Sequence, residues 1–363
     1  MATESRRALV LMATMLACLP TALARVNNQF VRAIENYQLA HLAEHATAPG
    51  KDCETAYANY LDPNRSDMPH RGHELAFVLA DCLLANTAEA YKTDMASTSI
   101  LFGLLPSILS QIVPSVTELS RLSLRRPVLA FMLGFGGMSL PVLSGRDDFL
   151  GKTVEPYPHM SLDLSDRGNR SPRVAVVVSA AEYLIAAAAV FNVLYFTWTM
   201  TYVGVSFSVI QIYITNLPET AIPFMWMLLV PLVHLVAFFA IRYATKAQPE
   251  DKKGNWVKNE LLPCMYGPTL DRKFKQAVVG PWKPWNLLLE HAILLGSLIH
   301  LIAGTAILCT ILFIEQWKAI QLVAQMLGGG VLCRLVVRFE LSCLCRNGDE
   351  QTDASTVEIH RSK

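Results

Sequence analysis

The chain alternates between long apolar stretches and polar connecting segments. A helix needs about 20 residues to cross the hydrocarbon core of a bilayer. Four apolar stretches reach that length, at residues 174–196, 222–241, 287–314 and 319–341. We therefore predict a four-helix transmembrane bundle over residues 174–341, with a long basic loop over residues 243–286.

A pair of shorter apolar stretches, residues 98–116 and 127–143, precedes this bundle and decides the topology. The polar link between them carries Arg121, Arg125 and Arg126. The second stretch is the weaker one, because it has 17 residues and includes glycines and a proline. We expect the first stretch to cross and the second to form a re-entrant or interfacial helix. The predicted fold is an all-α, polytopic helical membrane bundle of five or six membrane helices.

The basic residues concentrate in alternate connecting segments. The loop 144–173 and the loop 243–286 are rich in lysine and arginine, whereas residues 198–221 contain neither. Because lysine and arginine favour the cytosolic side in short loops, this distribution places both basic loops in the cytosol. Five crossings satisfy the rule if the N-terminal region is outside. Six crossings put the 243–286 loop outside, so five is favoured.

The first 24 residues have the pattern of a secretory signal peptide. Arg6 and Arg7 precede a short apolar core, and Ala22 and Ala24 form a small-residue cleavage site. An uncleaved signal anchor is the alternative. Both the cleaved signal peptide and the uncleaved anchor predict that residues 25–97 form a small extracytosolic helical region. The protein would then be an integral membrane protein of the secretory pathway, in the plasma membrane or an endomembrane.

The predicted extracytosolic region contains two cysteines and a glycosylation sequon. Cys53 and Cys82 are its only cysteines, and an oxidising compartment favours a disulfide between them. Two buried free thiols are the alternative. Asn64 begins the sequence Asn-Arg-Ser in a polar loop and is a predicted N-glycosylation site.

The composition agrees with a membrane protein. Hydrophobic residues make up 52% of the 363 positions and charged residues 17%, compared with about 25% charged residues in soluble domains. The mean hydropathy is +0.32. A net charge of +1 gives no reason to expect a nucleic-acid partner. Because the chain has several predicted membrane spans, the predicted partner is the lipid bilayer. The chain has no Walker loop, dinucleotide fingerprint or CxxC metal motif, and we predict no cofactor.

Ionisable residues inside the predicted spans are the main candidates for chemistry. They are Glu182, His234, His300 and Arg334. Each costs at least about 2.5 kcal/mol at depth unless it pairs or faces a cavity. The four side chains could converge on a wet cavity in a transporter for ions, protons or small solutes. Alternatively, Glu182 could pair with a histidine or with Arg334 and fix the helix register, which is the favoured interpretation.

Two further motifs lie outside the predicted spans. His41 and His45 belong to an H-x-x-E-H sequence that could bind zinc on a helix, but a catalytic site would need a third ligand. A lumenal metal-dependent enzyme is therefore disfavoured. Cys343 and Cys345 follow the last span and are palmitoylation candidates. Residues 342–363 are polar and predicted to be a disordered tail.

One stretch of the chain has a recognisable motif. A cysteine-containing segment leads into a Gly-Leu-x-Pro-Ser-Ile-Leu helix and then an Arg-Arg-Pro helix start, which resembles a group of filamentous-fungal multi-pass integral membrane proteins. The resemblance covers about two thirds of the chain and implies the same architecture, with no assigned activity. The chain departs from the group's pattern after Gly136. The matching residues are Cys82, Gly103, Leu104, Pro106, Ser107, Ile108, Leu109, Arg125, Arg126 and Pro127.

The favoured function is a structural, scaffold or sensor role, and an enzyme is disfavoured. A sensor or scaffold should have a dry bundle, with a ligand pocket or partner face in residues 25–97. A transporter should bring the four intramembrane residues together at one cavity.

Overall fold

A computed structural model describes residues 50, 52–61, 71–138, 140, 172–206, 221–244, 260–263 and 284–361. Within these residues the chain is helical apart from one two-stranded sheet, which confirms the all-α prediction. The helices are α1 (Glu54–Leu61), α2 (Arg71–Ala85), α3 (Glu89–Ile112), α4 (Val116–Ser123), α5 (Pro127–Gly137), α6 (Pro172–Tyr202), α7 (Ala221–Ala244), α8 (Pro284–Leu308) and α9 (Gln316–Arg361). The strands are β1 (Val205–Ser206) and β2 (Ile311–Leu312).

Five of the described helices are long and apolar enough to cross a membrane. Their apolar parts are Glu89–Ile112, Arg173–Thr201, Ile222–Ile241, Leu288–Leu308 and Gln316–Leu341. Three boundaries differ clearly from the prediction. Helix α6 continues to Tyr202 rather than ending at residue 196. Helix α3 begins at Glu89 rather than at residue 98, since the polar residues before Thr98 belong to the same helix. Helix α8 ends at Leu308 rather than at residue 314, because Ile311 and Leu312 pair as a strand.

Helix α5 is too short to cross a bilayer. Its 11 residues rise about 16 Å, roughly half of the hydrocarbon thickness. Pro127 begins the helix, and Met138 ends it with a left-handed φ of 48°. Because a left-handed residue cannot continue a right-handed helix, the apolar run does not form one 17-residue helix.

The chain divides into two compact units. The first unit comprises residues 1–104, 196–226 and 304–322. The second unit comprises residues 105–195, 227–303 and 323–363. Both units include part of each of the five long helices.

A disulfide crosslinks the first unit. Cys53, beside the start of α1, bonds to Cys82 of α2 with 5.8 Å between the Cα atoms, which confirms the predicted pair. The bond lies against a small core that includes Leu79, Leu83 and Phe313. The crosslink therefore supports a region with few buried apolar residues.

Short polar contacts connect the helix ends of the first unit. Strand β1 pairs antiparallel with β2, with Val205 opposite Leu312. The Ser99 hydroxyl of α3 donates to the carbonyl of Ile311 at 3.2 Å. The Asp94 carboxylate accepts from the backbone N–H of Gln316 at 3.1 Å. Since this N–H begins α9, the contact satisfies a donor that has no partner within the helix.

Close helix packing characterises the second unit. A Cβ atom added at Gly136 of α5 would lie 2.6 Å from the Cβ of Ala189 in α6. A Cβ at Gly296 of α8 would lie 2.6 Å from a methyl of Val233 in α7. Small residues thus let these helix pairs approach closely, as is common where helices associate within a bilayer.

The end of α9 differs from the prediction. The helix continues to Arg361, whereas residues 342–363 were predicted to be disordered. The sequence contains no proline in this stretch, so nothing in its backbone chemistry forces the helix to stop after Leu341.

We predict that the Cys82→Ser substitution destabilises the first unit by about 3 kcal/mol, because it opens a long crosslinked loop. Thermal unfolding of the detergent-purified protein measures the effect. Cys309→Ser is the matched control, since Cys309 is an exposed free thiol. Equal unfolding midpoints for the two variants would contradict the stabilising role of the disulfide.

Candidate functional site

A buried polar cluster surrounds Arg126 in the second unit. The Arg126 side chain has no exposed surface. Its Nε donates to the carbonyl of Glu260 at 2.9 Å, and its Nη2 donates to the Ser179 hydroxyl at 2.9 Å. Its Nη1 forms ion pairs with Glu182 and, at 3.1 Å, with Glu340. Each guanidinium nitrogen therefore has a partner, and the partners come from three separate segments of the chain.

Glu260 connects the cluster to the start of α5. Its Oε1 accepts from the backbone N–H groups of Val128 and Leu129, at 3.1 and 3.0 Å. It also accepts from the Tyr183 hydroxyl at 2.6 Å. The first N–H groups of a helix have no partner within the helix and carry partial positive charge. The carboxylate of Glu260 thus caps α5.

Local sequence chemistry places these side chains. Arg126 precedes a proline, which disfavours a helical conformation, and it has φ −122° and ψ 72°. It is the N-cap residue of α5, so its side chain is free to extend toward α6 and α9. Ser179, Glu182 and Tyr183 are three and four residues apart on α6 and therefore share one face of that helix. The Tyr183 ring centroid lies 5.4 Å from the guanidinium carbon.

Electrostatics keep Arg126 charged despite its burial. Burial alone would lower the pKa of the guanidinium, but the carboxyl groups of Glu340 and Glu182 outweigh that effect and raise the pKa above its ordinary value. A buried charge is tolerated when it is paired and hydrogen-bonded, and this one is both.

His234 of α7 and His300 of α8 form a second buried polar site. A Cβ atom at Gly134 of α5 would lie 2.9 Å from the His234 ring, so glycine is needed there. The Nε2 of His300 lies 3.3 Å from the carbonyl of Met138. Both side chains are buried, with 7% and 1% of their surface exposed. Neither ring nitrogen of His234 has a hydrogen-bond partner among the residues that the structure describes.

Arg334 of α9 occupies a third environment. Its Nη1 donates to the carbonyls of Gln111 and Ile112, at 2.7 and 3.1 Å. These carbonyls belong to the last residues of α3, where helix carbonyls lack partners within the helix and carry partial negative charge. Arg334 therefore caps α3.

The structure thus divides the four predicted intramembrane residues among three environments. Glu182 pairs with Arg126 and not, as one interpretation held, with a histidine or Arg334. His234 lies against Gly134 of α5 and His300 near the carbonyl of Met138 at the end of α5, whereas Arg334 contacts the end of α3.

The remaining candidates give less information. His41, His45 and Asn64 lie outside the described residues. Cys343 and Cys345 belong to α9, in a part whose side chains are not described. Within the described part of the chain, no group of three or more His, Cys, Asp or Glu side chains could hold a metal ion.

Sequence reasoning missed Arg126 and Glu260 as site residues. Arg126 was interpreted only as part of the basic link, and Glu260 lies within a loop whose basic residues dominated the interpretation. One signal for Arg126 was present, because its position next to Pro127 places it at the start of an apolar helix. Nothing local connects it to a residue 134 positions later.

The first unit contains an open cleft of about 400 Å³. Helices α2 and α3 and strand β2 line it. Its lining includes Asp81, Leu84, Lys92, Met95, Ala96 and Leu312. The α3 residues recur at helical spacing, so they present one face to the cleft. The Lys92 ammonium group also contacts Glu89 at 2.8 Å.

Comparison of the chain with protein-family models, curated proteins and solved structures finds no match. The resemblance to filamentous-fungal membrane proteins stays a prediction. The polar cluster and the cleft are therefore interpreted from their own chemistry.

We predict that Arg126→Lys destabilises the protein by about 2–3 kcal/mol, because an ammonium group cannot reproduce the planar fork and leaves buried acceptors unsatisfied. Unfolding in mixed micelles measures this difference. Arg125→Lys is the control and should cost less than about 1 kcal/mol, because Arg125 is partly exposed and donates to the carbonyls of Leu262 and Pro263. Similar losses for both variants would contradict a special role for Arg126.

Proposed function

We propose that this protein is a multi-pass membrane sensor or scaffold whose first unit binds a ligand in the cleft. The observation that carries the proposal is the position of this cleft. Most of its lining lies within residues 25–97, the region in which a sensor was expected to have a pocket. The separate environments of Glu182, His234 and Arg334 favour this function over transport through one shared cavity.

We assign the ligand to the zwitterionic phospholipids. The cleft volume of about 400 Å³ falls within the usual range for small-molecule sites. Leu84, Met95 and Leu312 offer apolar walls for acyl chains. Asp81 offers a negative charge for an amine, and Lys92, which also contacts Glu89, offers a positive charge for a phosphate.

The bilayer is the nearest source of such a ligand. Helix α3 forms one wall of the cleft and is also a candidate membrane span. Further along the same helix, Ile100 and Leu104 are 66% and 53% exposed. Large exposed apolar side chains on a span are suited to contact with lipid, so a phospholipid at this helix can reach the cleft without leaving the membrane.

We further propose that residues 25–97 are extracytosolic, after a signal peptide, and that the chain belongs to the secretory pathway. Five long helices and a short α5 support an odd number of crossings. The link that carries Arg125 and the described residues of the basic loop 243–286, Glu260 among them, belong to the second unit, as expected if that unit contains the cytosolic loops.

Glycosylation mapping tests this orientation. We expect a glycosidase-sensitive mass increase that Asn64→Gln removes, because Asn64 would face the lumen. Asn169 heads a second sequon in the predicted cytosolic loop and should stay unmodified. It should stay so even in a Pro172→Ala variant, which removes the proline that follows the sequon. A glycan on Asn169 would overturn the five-crossing orientation.

A photoactivatable phosphatidylcholine, incorporated into nanodiscs with the full-length protein, tests the ligand. We expect crosslinks to map to the cleft, at Met95 or Leu312, and Ala96→Trp to abolish them by filling the space. Ala90→Trp is the matched control on the same helix, since Ala90 is exposed and does not line the cleft. Equal crosslinking in both variants, or its absence at the cleft of the wild type, would refute the proposal.

A further inference from the structure

One face of α9 in the second unit is exposed along the membrane span. Gln325, Gly328, Leu332 and Leu335 lie on this face and are all exposed, the two leucines by 47% each. They are separated by three, four and three residues, which is the alternation that places side chains on one seam between paired helices. Residues of α9 that pack within the chain, such as Cys333, are buried and lie outside this row. We call the four exposed residues the α9 seam.

Gln325 is the polar member of the α9 seam, and it lies deep in the span. The span runs from Gln316 to Leu341, so Gln325 is about 5 Å from its midpoint. The hydrocarbon layer extends about 15 Å to either side of its centre, which is farther than a glutamine side chain reaches. Asn192 of α6 donates to the backbone carbonyl of Gln325 at 2.9 Å, but the side-chain amide has no hydrogen-bond partner among the described residues. Such an amide is costly in hydrocarbon, because lipid chains neither donate nor accept hydrogen bonds.

Gly328 leaves open space on the α9 seam. A Cβ atom added there would meet no atom of another described segment within 4 Å. A Cβ atom at Gly329 would lie 3.3 Å from Nδ2 of Asn192, and one at Gly330 would lie 3.0 Å from a methyl of Val113. Packing within the chain therefore explains small residues at positions 329 and 330 but not at 328. A glycine on an exposed face lets the backbone of a second helix approach closely.

We infer that the α9 seam is a homodimer interface, which a second copy of this chain covers. Two copies inserted with the same orientation are related by a two-fold axis along the membrane normal, so equal positions of the two helices meet at equal depth. A glutamine amide carries both an acceptor oxygen and N–H donors. The two Gln325 side chains therefore donate to each other and satisfy both amides. A different partner would need its own polar group at this depth, whereas symmetry makes a second copy supply it.

This inference goes beyond the proposed function and does not depend on the cleft. In the dimer, Gly328 and the seam leucines supply close packing, and the Gln325 pair fixes the register, as a single polar residue does in a coiled coil. The middle of α8 has a different exposed surface, which lipid chains can cover without leaving a polar group unsatisfied. Its exposed side chains are Leu295, Leu298, Ile299 and Ile302.

The oligomeric state of the full-length protein in phosphatidylcholine liposomes tests the inference. Single-molecule photobleaching counts the labelled copies over a range of protein-to-lipid ratios. We expect the wild type to dimerise, and Gln325→Leu to raise the ratio at half-dissociation about tenfold, because it removes the paired amides. Gly328→Leu should also weaken the dimer, since it fills the space at the seam without a clash inside the chain. Leu295→Ala is the control on α8 and should dimerise as the wild type does.

Cysteine crosslinking locates the interface independently. The other cysteines outside the Cys53–Cys82 disulfide are first replaced by alanine. Leu332→Cys should then form an intermolecular disulfide on oxidation with copper phenanthroline, because position 332 faces its own copy. Leu295→Cys, which is also exposed but lies on α8, should stay monomeric in the same experiment. A wild type that is monomeric at every ratio, unchanged dimerisation in either seam variant, or crosslinking at position 295 that equals that at 332 would overturn the inference.

Discussion

A guanidinium group without exposed surface is the constraint on which the second unit depends. A buried cation is tolerated only if its donors are satisfied and its charge is balanced nearby. Arg126 meets both conditions through partners that lie 53, 56 and 134 residues away in the chain. The start of α5, the first third of α6, the middle of α9 and the segment at Glu260 must therefore occupy fixed positions. Few alternative arrangements of these helices would satisfy the same side chain.

Packing within the bilayer acts together with this polar constraint. Lipid tails are as apolar as leucine, so burial of apolar surface does little to drive one span against another. Helices α5 and α6 gain their contact instead by close approach at Gly136 and Ala189. Helix α5 also packs closely against the His234 ring of α7, at Gly134. Small residues permit the approach, and polar groups determine which faces meet.

Much of the fold could be predicted from the sequence, because a membrane span leaves a long local signal. The span in α7 was predicted with both of its ends, since its apolar run coincides with its helical part, whereas α6 continues six residues past its predicted end at residue 196. The disulfide was also predictable, because Cys53 and Cys82 are the only cysteines in their region. Helix ends were harder, since polar residues at the start of α3 are helical and apolar residues after α8 form a strand.

The polar site was far less predictable, because its contacts are set by tertiary structure. Glu182 was found through its position inside a span, yet its partner Arg126 was interpreted as part of a basic link. A positive charge beside a span has two uses, setting topology and pairing with a buried acid, and local sequence does not distinguish them. The cleft joins α2 and α3 with a strand more than 200 residues away. No local pattern identifies such a surface.

The position of the Arg126 partners along the chain also constrains biosynthesis. The residues through α5 and α6 emerge from the ribosome well before Glu260, and Glu340 comes in the last span. Before Glu260 emerges, Arg126 has only Ser179 and Glu182 of α6 as partners, and the start of α5 lacks its cap. A chain truncated before α9 would lack the Glu340 carboxylate that pairs with Nη1 of Arg126. The contacts around Arg126 are therefore complete only after the last described span has been synthesised.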